Sequence, residues 1–353
     1  MKRLSFYSLL AAVMLAGACQ SNDSEQQTTG DPIKLHAVLE NMGTTRTIGD
    51  VQNTQFSKGR QLSVYIFEDY EDSGKPKSTD YGTDGLVTFI TADDQGNMQP
   101  TGSTYPYYPL NGNNVNIYAL SPSGTVNAPN KESTSFTVLA NQSDSANYKA
   151  SDLLFTGRPG YDNYGGSSLA AENGIKNVAK SSNTVNLYFW HMLTRIQVEL
   201  VQGTGNPTLT GAKVTLKDVY RTIDFTAPKT GYMTMGNNRS DKTDVVVTES
   251  YDTEKQASAV IVPQSLTTGV DFIHIQLGTD VLKFKLTQGI TTMPGYSYKF
   301  RITVNHNSVE AEYTVSDWNA NPIPHSGGNT WGGTAGDTLV IKPKSVVSPS
   351  LFV

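Results

Sequence analysis

Cysteine occurs once in the 353 residues, at Cys19, so no internal disulfide can staple the fold. Histidine is almost as scarce: His36, His191, His274, His306 and His325 stand singly, and no two share a spacing that would make them metal ligands on one helix or strand. Basic charge is not in excess either. With 27 Lys plus Arg against 32 Asp plus Glu, the net charge of −5 supplies no field for gripping a phosphate backbone, which excludes nucleic acid as a partner. A G-x-S-x-G elbow, an H-E-x-x-H pair, a phosphate-binding glycine loop and a distinctive pair of carboxylates are all missing. The expectation is a protein that is not an enzyme, with no catalytic residue, no metal and no cofactor. His191, in the run Tyr188-Phe189-Trp190-His191, is the most tempting base, but it lies among apolar residues on an inward strand face and reads as a hydrogen-bonded core histidine.

Long apolar runs are lacking too. Leu9 to Leu15 falls well short of the ~20 residues that a membrane-spanning helix needs, and no later stretch approaches that length. This run follows Lys2 and Arg3 and precedes Ala16, Gly17 and Ala18, the three-part pattern of a signal peptide over residues 1–18. Leu15-Ala16-Gly17-Ala18-Cys19 resembles the lipobox of bacterial lipoproteins, which makes the thiol of Cys19 the expected acylation (palmitate) site; the alternative is an ordinary secretory signal with a chance cysteine. Residues 19–31 are polar and read as a flexible tether. Within them, Asp23 and Glu25 resemble the surface-export signal of Bacteroidetes lipoproteins. The mature protein is then expected to be tethered to the outer membrane by lipid.

What the chain does have is 37% hydrophobic residues with 31 Gly, 16 Pro and 18 Tyr, in a length that suits about two domains. Period-2 alternation in short segments, broken by Gly, Pro, Asn and Asp, predicts half-buried antiparallel strands, and helical periodicity is nearly absent. Ile33, Leu35, Ala37 and Leu39 alternate with Lys34, His36, Val38 and Glu40; Leu62, Val64 and Ile66 follow Gly59; Val115, Ile117 and Ala119 follow the LNGNN turn at 110–114. One helical turn is expected over Ser151 to Phe155, capped by Ser151. Between Gly157 and Ser182 apolar residues thin out, which sets a domain boundary between 32–182 and 183–335. The strongest strand runs from Val185 to Leu200. Its apolar phase reverses after Leu193, which predicts a bulge near Thr194 and Arg195. Later strands are expected over Lys213–Leu216, Ala259–Val262, Phe272–Leu277, Val281–Leu286, Ser297–Val304 and Glu310–Val315, giving two β-sandwiches.

Two acidic turns, Asp80 to Gly85 and Asp93 to Asn97, lack the ligand spacing of a known calcium loop and read as hairpin turns. Tyr105, Tyr107 and Tyr108 invite sugar stacking, but their place in a proline-flanked turn reads as structural.

Several segments together resemble the fimbrillin family of Bacteroidetes, the lipoprotein-precursor subunits of type V pili. They are Thr44-Thr45-Arg46 followed by FSKGRQLSVYIF at 56–67, YYPLNGNNVNIYALSPS at 107–123, NQSDSANYKASDLL at 141–154, VNLYFWHMLTRIQV at 185–198, PGYSY at 294–298, and Val315-Ser316-Asp317-Trp318. The resemblance implies an all-β protein of two transthyretin-like antiparallel β-sandwich domains in tandem. It further implies export as a surface-exposed lipoprotein of the cell outer membrane, proteolytic removal of the first strand after an arginine, and polymerisation into a fimbrium by strand donation between subunits. Its partners would be other fimbrial subunits and, through adhesion, a host or bacterial surface ligand. Arg46, followed by Thr47, lies just past the first strand in a small polar context suited to a trypsin-like protease; cutting at Arg60 would remove the Phe56 strand entry as well. An outer-membrane glycan-binding or adhesive lipoprotein that does not polymerise would share the anchor, tether and sandwiches.

The tail, 336–353, follows a Gly-rich linker and is rich in apolar residues from Leu339 onward, and over 338–353 Lys342 and Lys344 are the only charged side chains. It is either a strand donated to a neighbour or the completion of its own sheet. Pro343 and Pro349 would each cost a ladder bond in a two-sided strand. Asp144-Ser145-Ala146 and Asp337-Thr338-Leu339 resemble O-glycosylation sites of Bacteroides species, with Ser145 and Thr338 as the acceptors.

Overall fold

Alternating sequence becomes alternating burial from the first strand onward: Ile33, Leu35, Ala37 and Leu39 all point into a core, whereas Lys34 is exposed and His36 and Val38 are half-buried. The computed structural model describes residues 31–39, 56, 58–68, 86–103, 105–122, 134–156, 175–225, 235–253, 257–306, 308–318 and 339–341. In chain order the strands begin with β1 (Leu35–Leu39), β2 (Gln61–Glu68), β3 (Leu86–Thr91), β4 (Met98–Pro100), β5 (Val115–Ser121) and β6 (Thr134–Thr137). A single described helix, α1 (Ser145–Ser151), precedes β7 (Leu154–Phe155), β8 (Ile175–Val178), β9 (Val185–His191), β10 (Thr194–Gln202), β11 (Lys213–Phe225) and β12 (Met235–Thr248). The remainder are β13 (Ala257–Ile261), β14 (Ser265–Leu266), β15 (Asp271–Leu277), β16 (Asp280–Lys285), β17 (Ile290–Thr291), β18 (Tyr296–Val304), β19 (Val309–Asp317) and β20 (Leu339–Ile341).

The architecture is all-β, as the alternation predicts. One sheet runs β1-β9-β7-β5-β2-β3-β4, with β8 also on β5. The second half is a sandwich of two five-stranded sheets, β13-β10-β18-β19-β20 and β12-β11-β15-β16 with β6 on β11. Its core lies between them, where Phe300 packs against Phe272, Phe284 and Tyr313 with ring centroids 5.4, 6.1 and 5.3 Å away. A separate core fills the first half, and a third, containing Tyr65, Phe155, Met192, Phe225, Val260 and Trp318, draws on both.

Three features depart from the sequence reading. The phase reversal at Thr194 is not a bulge: β9 belongs to the first sheet and β10 to the second, so the chain changes sheets at Met192 and Leu193. A crossover satisfies the reversed alternation as well as an extra residue would. The sequence-based boundary at 182/183 therefore falls before β9, while strand pairing changes sheets after it. The helix lies one turn earlier than expected and ends, rather than begins, at Ser151. Its N-cap is Asp144, whose carboxylate accepts from the Asn147 amide at 2.8 Å, and Leu153 to Phe155 instead enter the core beside β5 and β9. Finally, β11 extends nine residues past Leu216 and pairs with the polar β12, held across the ladder by Lys217–Asp244, Arg221–Asp241 and Lys242–Asp218 ion pairs.

Candidate functional site

The first strand is seated on both edges. On one side β1 runs parallel to β9, with Leu35 opposite Val185 and Leu39 opposite Phe189, and the Val185 amide donates to the Lys34 carbonyl at 2.9 Å. On the other, the Ala37 amide donates to the Gly96 carbonyl at 2.8 Å, and His36 forms a bridge with Asn97. Before the strand, the Ile33 amide donates to the Pro106 carbonyl at 2.7 Å, and the Tyr108 amide to the Asp31 carbonyl at 3.0 Å. Since Asn97 directly precedes β4, the far edge of the first sheet comes back to β1.

The Asp93–Asn97 turn is thus a clamp on β1. Asp93 accepts from the Gln95 and Asn97 amides at 3.0 and 3.1 Å and from the Asn97 side chain at 2.6 Å, bonds that hold its carboxyl below the ordinary aspartate range. Asn97 in turn meets His36 Nδ1 at 3.2 Å. Gly96 has φ +92, and a Cβ there would come within 2.2 Å of the Ala37 carbonyl oxygen. Gly96→Ala is therefore expected to destabilise the protein by about 2 kcal/mol or more. Amide exchange should quicken at Ala37 while the β2–β5 ladder stays protected; unchanged exchange at Ala37 would refute the clamp.

Tyr107 bridges to Pro32 and Tyr108 is buried, so two of the three turn tyrosines belong to this seat, while Tyr105 is exposed. The Asp80–Gly85 turn lies outside the described residues, and no group of three metal-ligating side chains occurs among the described ones.

Beneath the seat lies the core of the first half: Phe56, Leu62, Val64, Ile66, Phe89, Ile117 and Phe189 among others, with Phe56 edge-on to Phe189 at 4.8 Å. Burial of Ile33, Leu35 and Leu39 at roughly 1.5–3 kcal/mol each makes the segment 33–39 worth on the order of 5–9 kcal/mol, comparable with the whole stability of a typical domain. Removing it would leave an apolar groove and an unpaired edge on β9.

Cys19, Arg46, Thr47 and Thr338 lie outside the described residues. Ser145 is exposed, at the first position of α1. Arg60 is held in place: its Nε donates to Ser121 Oγ at 2.6 Å, its Nη2 lies 3.4 Å from the Lys149 and Asp152 carbonyls, and its guanidinium sits 5.5 Å over the Phe56 ring. Burial lowers its pKa, against the attraction of Asp152. An arginine so engaged cannot enter a protease cleft without local unfolding. Residues 339–341 pair antiparallel with β19, Leu339 opposite Val315 and Ile341 opposite Tyr313, so this part of the tail lies on its own sheet.

A second constellation joins the halves, and its members come from separate motifs singled out in the sequence. His191 is fully buried; its Nδ1 lies 2.8 Å from Asp152 Oδ1, and its ring stacks on Trp318 at 3.8 Å and 11°. The Arg195 guanidinium lies 5.0 Å from the centre of the Trp318 ring and donates from Nε to Ser297 Oγ at 2.8 Å, which donates to Gln197 Oε1 at 3.1 Å. The Trp318 amide donates to the Gly295 carbonyl at 2.6 Å, and the Gly295 amide to the Leu193 carbonyl at 2.8 Å. Sealed from solvent, His191 reaches no substrate and works as a packing and hydrogen-bonding element. No sequence signal linked these residues to one another, because they lie up to 166 positions apart, from Asp152 to Trp318.

Together, the seated first strand and the sheets behind it define an all-β protein. A family model described as fimbrillin-like matches residues 45–318, and the chain belongs to that family. No curated protein matches it. Among solved structures, it is similar to a candidate cell adhesion protein from Bacteroides ovatus, with 16% identity and a TM-score of 0.59 over 81% of this chain and 97% of that one. A second candidate cell adhesion protein, from Bacteroides uniformis, shows 15% identity and a TM-score of 0.56 over 81% of this chain and 98% of that one. At these identities the likeness is one of fold.

Proposed function

We propose that this fimbrillin-like protein is a structural subunit of a cell-surface fimbria, exported as an outer-membrane lipoprotein, cleaved after Arg46 and polymerised by strand exchange, and so contributing to adhesion. The observation that carries the reading is the seat of β1, a short strand that with Ile33 just before it buries four side chains, and whose loss opens a groove that only another extended apolar strand can refill. A protease cutting at Arg46 would remove that strand and the lipid together, coupling release to assembly. Trypsin-like digestion of the purified precursor, followed by electron microscopy, tests this: polymers should form only once residues 31–39 are lost, and polymers of uncut precursor would contradict it.

Membrane attachment rests on Cys19. Cys19→Ala should shift the precursor from the membrane to the soluble fraction almost completely, since stable anchoring needs acyl chains that the variant cannot carry. Labelling with a palmitate analogue that marks the variant as strongly as the wild type would refute lipidation there.

The tail is the proposed donor. β20 occupies an outer edge and pairs over three residues, so detaching it breaks few ladder bonds and leaves the β10–β18–β19 ladder whole. Sixteen residues, 338–353, extend to roughly 50 Å at about 3.3 Å each, ample for the span that β1 occupies. Deleting 338–353 should leave a folded monomer that no longer polymerises after cleavage; continued fibre formation, or failure to fold, would make the tail part of its own domain instead.

A further inference from the structure

The tail carries a near copy of the first strand: IKPKSVV at 341–347 against IKLHAVL at 33–39. Ile, Lys and Val recur at the first, second and sixth places, the fifth is small in both, and the seventh is aliphatic. The buried set Ile33, Leu35, Ala37 and Leu39 corresponds to Ile341, Pro343, Ser345 and Val347, none of them charged. The outward set Lys34, His36 and Val38 corresponds to Lys342, Lys344 and Val346, so both lysines of the segment fall where the strand meets solvent.

Proline tests that register strictly, because backbone N–H groups point alternately to the two edges of a strand and proline lacks one. The Lys34 carbonyl accepts from Val185, so the even-numbered residues face β9, and a proline at any of them would cost a rung. The odd-numbered residues face the other way, where the Ile33 amide donates to Pro106 and the Ala37 amide to Gly96. Leu35 lies between them. The bridge from β1 to the 93–97 turn is confined to His36 and Asn97, so among the described residues the Leu35 amide takes part in neither ladder. Pro343 falls on that position. A shift of two residues in either direction keeps the same face inward but puts Pro343 on Ile33 or Ala37, where a bond is lost. Lys344 falls on His36, whose ring meets Asn97 beside the Asp93 carboxylate, so the tail brings a permanent cation to an acidic turn.

Resting on the strand exchange argued above, we propose that residues 341–347 of one copy take the places of residues 33–39 in another, parallel to β9 and in the same register. Groove and matching segment belong to one sequence, so the partner is a second copy of this chain, and the polymer grows without a different subunit.

The fit is read in the uncut precursor, independently of exchange. Residues 341–347 placed at 33–39 (Leu35→Pro, His36→Lys, Ala37→Ser and Leu39→Val together) should leave a folded protein. Residues 339–345 placed there instead (Ile33→Leu, Lys34→Val, Leu35→Ile, His36→Lys, Ala37→Pro, Val38→Lys and Leu39→Ser) should unfold at least about 10 °C lower. A first graft that unfolds, or that melts no higher than the second, would overturn the register whatever happens on cleavage. The exchange is read by disulfides, since a cut at Arg46 removes the chain's single cysteine. His36 lies opposite the exposed Asn186, so Asn186→Cys in one copy and Lys344→Cys in another should link during assembly of the purified, cleaved chain. The yield should exceed that of Lys342→Cys or Val346→Cys with Asn186→Cys by about tenfold. Fibres linked preferentially at 342 or 346 would overturn the register and leave strand exchange standing, and cleaved chains that do not assemble by themselves would overturn the second copy as partner. Assembled chains that still hold residues 33–39 in place would overturn the exchange, and this proposal with it.

Discussion

An Arg46→Ala precursor is expected to fold, reach the membrane and yield no fimbriae, a loss of polymer of two orders of magnitude or more. The substitution touches none of the bonds that seat β1, so the strand stays between β9 and the Asp93–Asn97 turn and the groove stays filled. A subunit in that state has no vacancy for a neighbour's strand. Arg46 lies seven residues beyond Leu39, the last residue of β1, so a cut there separates the strand from the rest while leaving Phe56 in place against Phe189. Arg60 cannot substitute as the target, because Ser121 and two backbone carbonyls hold its side chain. Immunoblots of shed fibres and of whole cells check this. Wild-type levels of fibre from Arg46→Ala would remove this arginine from the pathway.

Trp318→Ala should cost about 3–5 kcal/mol, the range for emptying a large aromatic site, and lower the unfolding midpoint by about 10 °C. The ring is fully buried, stacks on His191 and lies beneath the Arg195 guanidinium. Its removal exposes the His191–Asp152 pair and withdraws the aromatic face from a buried cation, so desolvation penalties add to the cavity. Because His191 ends the first sheet and Trp318 follows the last long strand of the second, both halves should lose stability in one calorimetric transition. Two transitions, with the first half unmoved, would show that the junction does not couple them.

The residues show why some of this was legible in advance. Ile33, Leu35, Ala37 and Leu39 announce β1 because one face meets a core and the other does not. By contrast, β12 is mostly polar over Asn237 to Asp244, and nothing in its composition marks a strand; backbone pairing with β11 and cross-strand ion pairs hold it there. The reversal at Thr194 was visible, but alternation alone cannot distinguish a bulge from a change of sheet, since both restore an inward face. Similarly, α1 is too short to show a helical period, and Asp144 caps it through a contact that Ser151 was expected to make. The seat was half legible: the acidic turn at 93–97 read correctly as a turn, while its grip on Ala37 and His36 depends on tertiary closure. The junction cluster was recognisable only as separate motifs, since their convergence is a property of the folded chain.

If the assembled subunit exchanges its first strand for one from a neighbour, intact-mass analysis of subunits dissociated from purified fimbriae should find chains that begin at Thr47 and lack both the lipid and residues 31–39. Fimbriae whose subunits still begin at Cys19 would contradict strand exchange.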